Sequence, residues 1–373
     1  MRVLIASDSF KGALASTDVC AAIARGLQQR IGLSITEFPL ADGGEGTLDV
    51  LTRHLHLQHI TVDACDALQR PMRSPVGITS DDSLAVIESA SVCGLGSLRI
   101  EERDPCNATT RGIGLLIDAA LKRGARRIVL GIGGTATNDG GVGMARALGW
   151  EFLDSHSLPL PEGGSALVDL ASIQPPAHKR SVQIDVLCDV INPLYGPNGA
   201  AATYARQKGA DDAGIALLDA GLRRLAEVAS AQQLTTVSPH TAGSGAAGGL
   251  GFGAMTFLGA RLQRGIETLL DLSRFDDAVA NTDLVLTGEG RLDEQTLQGK
   301  LIQGVAARAR RAAKPVIVLC GQLSLTSNQL QSLGIAAAYS IDESISPLAL
   351  KIKETATNLT RTALSIPIED FRL

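Results

Sequence analysis

Aromatic residues are scarce in this 373-residue chain, with seven Phe, three Tyr and one Trp making 3% of it. That leaves little side-chain surface for stacking bases. An excess of positive charge is also missing: the formal net charge is −5, which argues against a protein that works by neutralising nucleic-acid phosphates. The six cysteines are scattered, with no C-x-x-C pair and no metal-like spacing, as in a reduced, cytoplasmic protein that uses them as small apolar residues. Long apolar runs are lacking. The opening MRVLIASDSF breaks at Asp8, too soon for a signal peptide, and reads as a first strand. Thr241 to Ala260 is uncharged but rich in glycine, so it reads as a glycine-rich loop entering a buried helix and not as a membrane span. No G-x-x-x-x-G-K-[ST], G-x-S-x-G or H-E-x-x-H occurs, which removes the Walker A loop, the serine-hydrolase elbow and the zincin motif. His54, His56 and His59 lie close together without a carboxylate-bearing metal motif around them, which speaks against structural zinc.

What the chain does have is glycine, 40 residues of it, within a composition that is 45% hydrophobic and 20% charged. Single cores stop growing at roughly 250–300 residues, so two domains are expected. Short aliphatic runs followed by turns and helical patterns mark βα units and a parallel sheet. Strands are expected at Val3–Ala6, Ser34–Phe38, Leu284–Thr287, Pro315–Leu319 and Ala336–Ser340. A helix from about Thr17 buries Val19, Ala22, Ile23 and Leu27, with Ser16 or Thr17 as its N-cap. Between these parts the rhythm changes. Ile60–Asp63, Met72–Ile78 and Leu84–Glu88 read as strands joined by turns, before a helix at Ile113–Leu121, strands at Arg127–Leu130 and Val182–Cys188, and a helix at Leu217–Ala231. The expected fold is therefore α/β. Residues 1–57 and 279–373 form a discontinuous, doubly wound parallel-sheet domain of Rossmann or flavodoxin type. Residues 58–278 form an inserted second α/β domain with a mixed sheet, an arrangement that is expected to leave a cleft between two lobes. Ligands of open α/β sheets bind at the carboxyl ends of strands, so the turns there matter most.

Five such turns combine small residues with chemically active ones. Ser7-Asp8-Ser9-Phe10-Lys11-Gly12 follows the first strand and offers Lys11 to an anion and Asp8 to a metal or a hydroxyl; solvated surface residues are the plain alternative. Asp42-Gly43-Gly44-Glu45-Gly46-Thr47 sets two acids and three glycines at a helix start, where free N–H groups make an anion site. Helix capping accounts for one acid. Gly131-Ile-Gly133-Gly134-Thr135-Ala-Thr137-Asn138 offers backbone N–H groups and hydroxyls suited to phosphate oxygens. The same run matches G-x-G-x-x-A, and Asp154 lies near the distance of a ribose-binding acid, which keeps a nicotinamide oxidoreductase as an alternative. Against it, the helix is expected to start several residues later than that fingerprint needs. Asp189 and Asn192 after the strand ending near Leu187 suit a metal or a substrate hydroxyl, with an Asx-turn before Pro193 as the rival account. Thr287-Gly288-Glu289-Gly290-Arg291-Leu-Asp293, closing near Gly299-Lys300, surrounds an acid with glycines and adds positive charge; a salt-bridged loop is its bland reading. A sixth cluster, Gly243 to Gly249, fits a close-packed helix start or a phosphate cradle equally.

In order along the chain, SDSFKGALAS, PLADGGEGT, ERDP, TTRGIG, GIGGTATNDGGVGM, CDVINPLYGPNGA, QKGA, GSGAAGGLG, FLGA and LTGEGRLDEQTLQGK resemble the bacterial glycerate kinases of the type that forms 2-phosphoglycerate. The resemblance spans nearly the whole length. Ser7 stands where the family often has proline, and Gly12-Ala13 replaces a more polar pair. The resemblance implies a two-domain α/β protein with its active site in the interdomain cleft, ATP and Mg²⁺ as cofactors, D-glycerate as substrate, and neither nucleic acid nor membrane as partner, with monomer and homodimer both open. It further implies attack of a glycerate hydroxyl on the γ-phosphorus, a reaction catalysed mainly by positioning and charge neutralisation. On this reading Gly131, Gly133, Gly134, Thr135, Thr137, Asn138 and Lys300 hold the nucleotide. Lys11 and Arg291 neutralise the transferring group or bind the glycerate carboxylate. Ser9, Asp42, Glu45 and Asn192 contact substrate, Glu289 and Asp293 hold metal, and Asp189 is the first choice for the base that takes the hydroxyl proton, with Asp8 a further catalytic residue in the same pool of acids. A kinase for another small sugar acid, 3-phosphoglycerate formation and a non-catalytic anion-binding protein remain as alternatives.

Overall fold

A computed structural model describes residues 1–178, 182–293, 301–342 and 348–371. Lys300 lies outside the described residues. The chain forms two compact units, one of Met1–Asp42, Asp49–His54 and Ile266–Leu373, the other of Gly43–Leu48 and Leu55–Gly265.

The first unit is built on five parallel strands, β1 (Arg2–Ile5), β2 (Ser34–Glu37), β11 (Leu284–Leu292), β12 (Val316–Leu323) and β13 (Ala337–Ser340), in the order β13-β12-β11-β1-β2. Strand alternation sends Val3 and Ile5 to one face and Leu4 to the other. Val3, Ile5, Leu284, Leu286, Ile317 and Leu319 meet Val19, Ile23 and Leu27 of the helix Ser16–Leu27 and Leu359 and Ala363 of the helix Leu348–Ser365. On the opposite face Leu4, Val285, Val316 and Val318 meet Leu270, Phe275, Ile302 and Val305. Both faces are thus covered by helices, the doubly wound arrangement. The two helices of the first face approach closely because Gly26 has no side chain, a Cβ there lying 2.3 Å from Thr360 O. The first helix is not capped by Ser16 or Thr17. It starts at Ser16 with Ala15 in the cap position and no side-chain cap bond, and Ser16 is buried in the first turn.

The second unit carries β3 (Gln58–Cys65), β4 (Pro71–Ile78), β5 (Leu84–Glu88), β6 (Arg127–Gly131), β9 (Gln183–Leu187) and β10 (Arg261–Gln263) in one sheet, with β7 (Glu151–Leu153) and β8 (Ser172–Gln174) in a small antiparallel pair. The order β10-β9-β6-β5-β4-β3 is parallel from β10 to β5 and antiparallel from β5 to β3. The missing helices between the strands of residues 58–88 point to this, since only antiparallel neighbours can be joined by tight turns. The three-residue strands β7, β8 and β10 do not show in the sequence because they are too short for alternation to be visible. The helix Asp212–Ala231 begins five residues before the expected Leu217, where Asp211 accepts a bond from Gly214 N at 2.8 Å. Such a cap is worth about 1 kcal/mol.

The segment Thr287–Asp293 is not a turn. Gly288, Glu289 and Arg291 pair with Leu319, Cys320 and Gln322, so β11 runs on to Leu292. Glycine is a poor strand former in isolation, but here close packing overrides propensity: a Cβ on Gly288 would lie 2.7 Å from Leu319 O.

Candidate functional site

Two groups of residues stand out, one in each unit. In the first unit the strand order reverses between β1 and β11: β2 flanks β1 on one side, and β11, β12 and β13 follow on the other. That is the switch point at which open α/β sheets bind ligands. Asp8 lies just past β1, its N–H bonded to Gly288 O at 3.2 Å, and Glu289 is in the extension of β11. The Asp8 side chain is almost wholly enclosed, with Oδ1 accepting from Ser9 N at 2.7 Å. Burial pushes its carboxyl up to about 7, the negative charges of Asp42 and Glu289 add to the rise, and Ser9 N–H and the Lys11 ammonium oppose it.

Lys11 donates to Asp42 Oδ2 at 2.7 Å, with side chains 75% and 31% exposed. Desolvation pulls the Lys11 ammonium down, but Asp42, Asp8 and Glu289 outweigh it and leave its pKa raised. Asp8, Ser9, Lys11, Asp42 and Glu289 therefore form one electrostatic group, a carboxyl poised near neutrality among acids with the Lys11 ammonium beside it. Arg291 is exposed on β11, and Asp293 is half-buried just beyond that strand.

In the second unit the 131–141 run leaves β6 and is gripped by glycine contacts on two sides. A Cβ on Gly131 would lie 2.8 Å from Gly43 O, and one on Gly133 would lie 2.7 Å from Gly44 Cα. On the other side a Cβ on Gly248 would lie 2.1 Å from Thr137 O, and one on Gly253 2.2 Å from Gly140 O. The Gly243–Gly249 cluster is thus a close-packed helix start. Ala247, Gly248 and Gly249 all take left-handed backbone within the helix Ala246–Leu258 to make that approach.

The enclosed loop keeps polar atoms without partners. Thr135 Oγ1, Thr137 Oγ1 and both amide atoms of Asn138 are buried and unbonded among the described residues. Asp139 is the loop's internal anchor, accepting from Thr110 N and Oγ1 at 2.8 Å each and from Gly141 and Gly143 N at 3.1 Å. Burial still raises its carboxyl above the usual range. The next helix begins only at Val142, several residues later than a dinucleotide fingerprint requires. Asp154, the acid on which that option depends, closes its own turn by accepting from His156 N and Leu158 N.

The helix start after Asp42 differs from expectation. The Gly46 and Leu48 N–H groups, which an incoming anion would need, donate to the Glu88 carboxylate at 3.1 Å each. The chain supplies its own anion there. Glu45 is exposed to solvent. Asn192 is committed to its loop: Nδ2 donates to Asn198 O and Thr203 Oγ1, and Oδ1 accepts from Tyr204 OH. Asp189 is exposed and accepts from Gly265 N at 2.8 Å. Glu88, Asp139 and Lys208 join the second unit's group without a sequence signal of their own. Glu88 shows in the sequence only as a strand terminus, Asp139 only as a break ahead of a helix, and Lys208 only as part of QKGA.

Two α/β units, an acid group at a parallel-sheet switch point and a glycine-packed loop with buried, unpartnered hydroxyls fit the class of small-molecule phosphotransferases. The family model described as the glycerate kinase family matches residues 3–368, and the chain belongs to that family. It is 41% identical over 370 residues to the glycerate kinase of Bacillus subtilis (strain 168), covering 98% of this chain and 97% of that one. It is 37% identical over 372 residues to the glycerate 2-kinase of Escherichia coli (strain K12), with coverage of 98% and 97%. The crystal structure of a protein assigned as glycerate kinase 2 from Salmonella typhimurium LT2 superposes with a TM-score of 0.84 at 38% identity, over 98% of this chain and 96% of that chain. The chain is thus an enzyme with kinase activity. No helix among the described residues is long and apolar enough to cross a membrane.

Proposed function

We propose that the enzyme transfers the γ-phosphoryl group of ATP to the 2-hydroxyl of D-glycerate, giving 2-phospho-D-glycerate and ADP. The observation that carries this reading is the row of buried, unpartnered side chains Thr135, Thr137 and Asn138 on a loop held rigid by glycine packing. A buried polar group without a partner costs on the order of 1–3 kcal/mol, and phosphate oxygens would offset it. Gly131 and Gly133 serve the loop by admitting the backbone of Gly43 and Gly44, while Gly134, Thr135, Thr137 and Asn138 face the phosphates. The 2-position is the one named for the Escherichia coli relative.

Asp8 has the stronger case as proton acceptor for the glycerate hydroxyl. A base works best with a pKa near the working pH; Asp8 is buried and shifted to about 7, whereas Asp189 is exposed. Lys11 neutralises charge on the transferring group or binds the glycerate carboxylate beside Asp42, and Arg291 assists from β11. Among the described residues no three His, Cys, Asp or Glu side chains gather as a metal group. Mg²⁺ in kinases takes one or two carboxylates together with phosphates and water. Glu289, within the last stretch of β11 before Leu292, fits that demand, with Asp293 just beyond the strand as a further ligand. When bound, the ion would neutralise charge on the phosphates.

The test is coupled ADP release with ATP, Mg²⁺ and D-glycerate, followed by phosphorus NMR of the product. Absence of glycerate-dependent ADP would end this reading, and a 3-phosphoglycerate signal would move the site of transfer.

A further inference from the structure

Lys208 sits in the short turn Arg206–Lys208, closed by Gly209 at φ +108°, and is only 3% exposed. Its ammonium donates to Thr137 O at 2.7 Å, its one hydrogen bond among the described residues. Burial lowers its pKa to about 8, with the Asp139 charge opposing. Thr137 is the residue whose own hydroxyl is unpartnered, and it precedes Asn138, whose whole amide is.

A carbonyl needs only a neutral donor. Burying an ammonium for that purpose is costly unless an opposite charge compensates it. Asp139 compensates only in part: its charge favours the ammonium, but the Lys208 pKa stays lowered, and among the described residues its oxygens bond Thr110, Gly141 and Gly143 and not the ammonium. An ammonium with one of three N–H groups engaged, placed behind a loop of unsatisfied polar side chains, is set up for an anion that arrives from outside the chain.

We propose that Lys208 is a positioning residue for the phosphate donor: it holds the Thr137 carbonyl back so that the Thr137 and Asn138 side chains face the nucleotide phosphates, and it places a buried positive charge behind them. The inference rests on the phosphate reading of the 134–138 loop. It predicts a selective loss, because weaker phosphate binding raises KM for ATP and leaves KM for glycerate nearly as it was.

The experiment compares wild type, Lys208→Met and Lys208→Gln by steady-state kinetics in both substrates and by thermal melting. Lys208→Met, which keeps the stem without donor or charge, should raise KM for ATP at least tenfold and change KM for D-glycerate less than threefold. Lys208→Gln, which keeps a donor for Thr137 O without the charge, should fall between; it carries the test alone if the methionine variant does not fold. KM for ATP within twofold of wild type in the folded variants would overturn the proposal. So would parallel changes in both KM values and kcat with a lowered melting temperature, the mark of a purely structural lysine. Wild-type enzyme that releases no ADP would overturn the phosphate reading and this inference with it; normal wild-type turnover with unchanged variants would overturn this inference alone.

Discussion

The carbonyl oxygen of Gly43 occupies the space that a side chain at Gly131 would need, 2.8 Å from where the Cβ would stand. Gly44 does the same at Gly133, its Cα 2.7 Å from the Cβ position. Both obstructions are backbone, which cannot rotate away as a side-chain tip can. Gly131→Ala and Gly133→Ala should each lower stability by roughly 1–3 kcal/mol, the usual cost of overpacking, as read from denaturant midpoints. A change below about 0.5 kcal/mol in both, the range of an ordinary surface substitution, would mean that the two loops separate easily.

Asp8 makes stability depend on pH. Its carboxyl is raised from 3.8 to about 7 in the fold, so between these values the folded protein holds a proton that the unfolded chain has released. The unfolded state then binds fewer protons, and stability falls as pH rises through this window, by up to about 1.4 kcal/mol for each pH step of one. Asp8→Asn removes the effect. The variant's melting temperature relative to wild type should climb from about pH 4 to about pH 7 and level off above. A flat difference across that range would show that Asp8 titrates normally.

Glu88 closes the start of the helix Thr47–Leu55 by accepting the N–H groups of Gly46 and Leu48. Glutamine offers one acceptor oxygen and a donor that faces an N–H, so Glu88→Gln should cost roughly 1–3 kcal/mol. Amide exchange at Gly46 and Leu48 should speed up with it. If exchange there is unchanged while global stability falls, the loss lies elsewhere.

The sheet of the first unit is legible in the sequence because parallel strands buried on both faces are continuous aliphatic runs, as in Val3–Ile5 and Val316–Leu319. Lys11 and Asp8 are legible because acids and cations at strand ends are a local signal. What escapes is set by partners distant in sequence. Gly288 and Gly290 suggest a turn because glycine is depleted in strands, yet both lie within β11, where β12 holds Gly288 in register. Glu88 and the Gly46 N–H it binds are 42 positions apart, and Lys208 lies 71 positions from Thr137. No local pattern encodes such pairings, so the anion already present at one helix start and the cation behind the loop come only with the fold.

Lys11 and Asp42 offer a pair of opposite effects on one carboxyl. Their ion pair is largely exposed, and such pairs contribute about 0–1 kcal/mol to stability, so Lys11→Ala should melt close to wild type. Its kcat/KM should nevertheless fall at least tenfold, about 1.4 kcal/mol of transition-state stabilisation. The residual activity carries the sharper information. Lys11 lowers the Asp8 pKa and Asp42 raises it. If ionised Asp8 accepts the hydroxyl proton, the acid limb of kcat/KM should move to higher pH in Lys11→Ala and to lower pH in Asp42→Asn. Opposite movements in two neighbouring variants are hard to produce by general damage to the fold. Limbs that stay in place, or that move together, would remove Asp8 as the titrating group and return Asp189 to consideration.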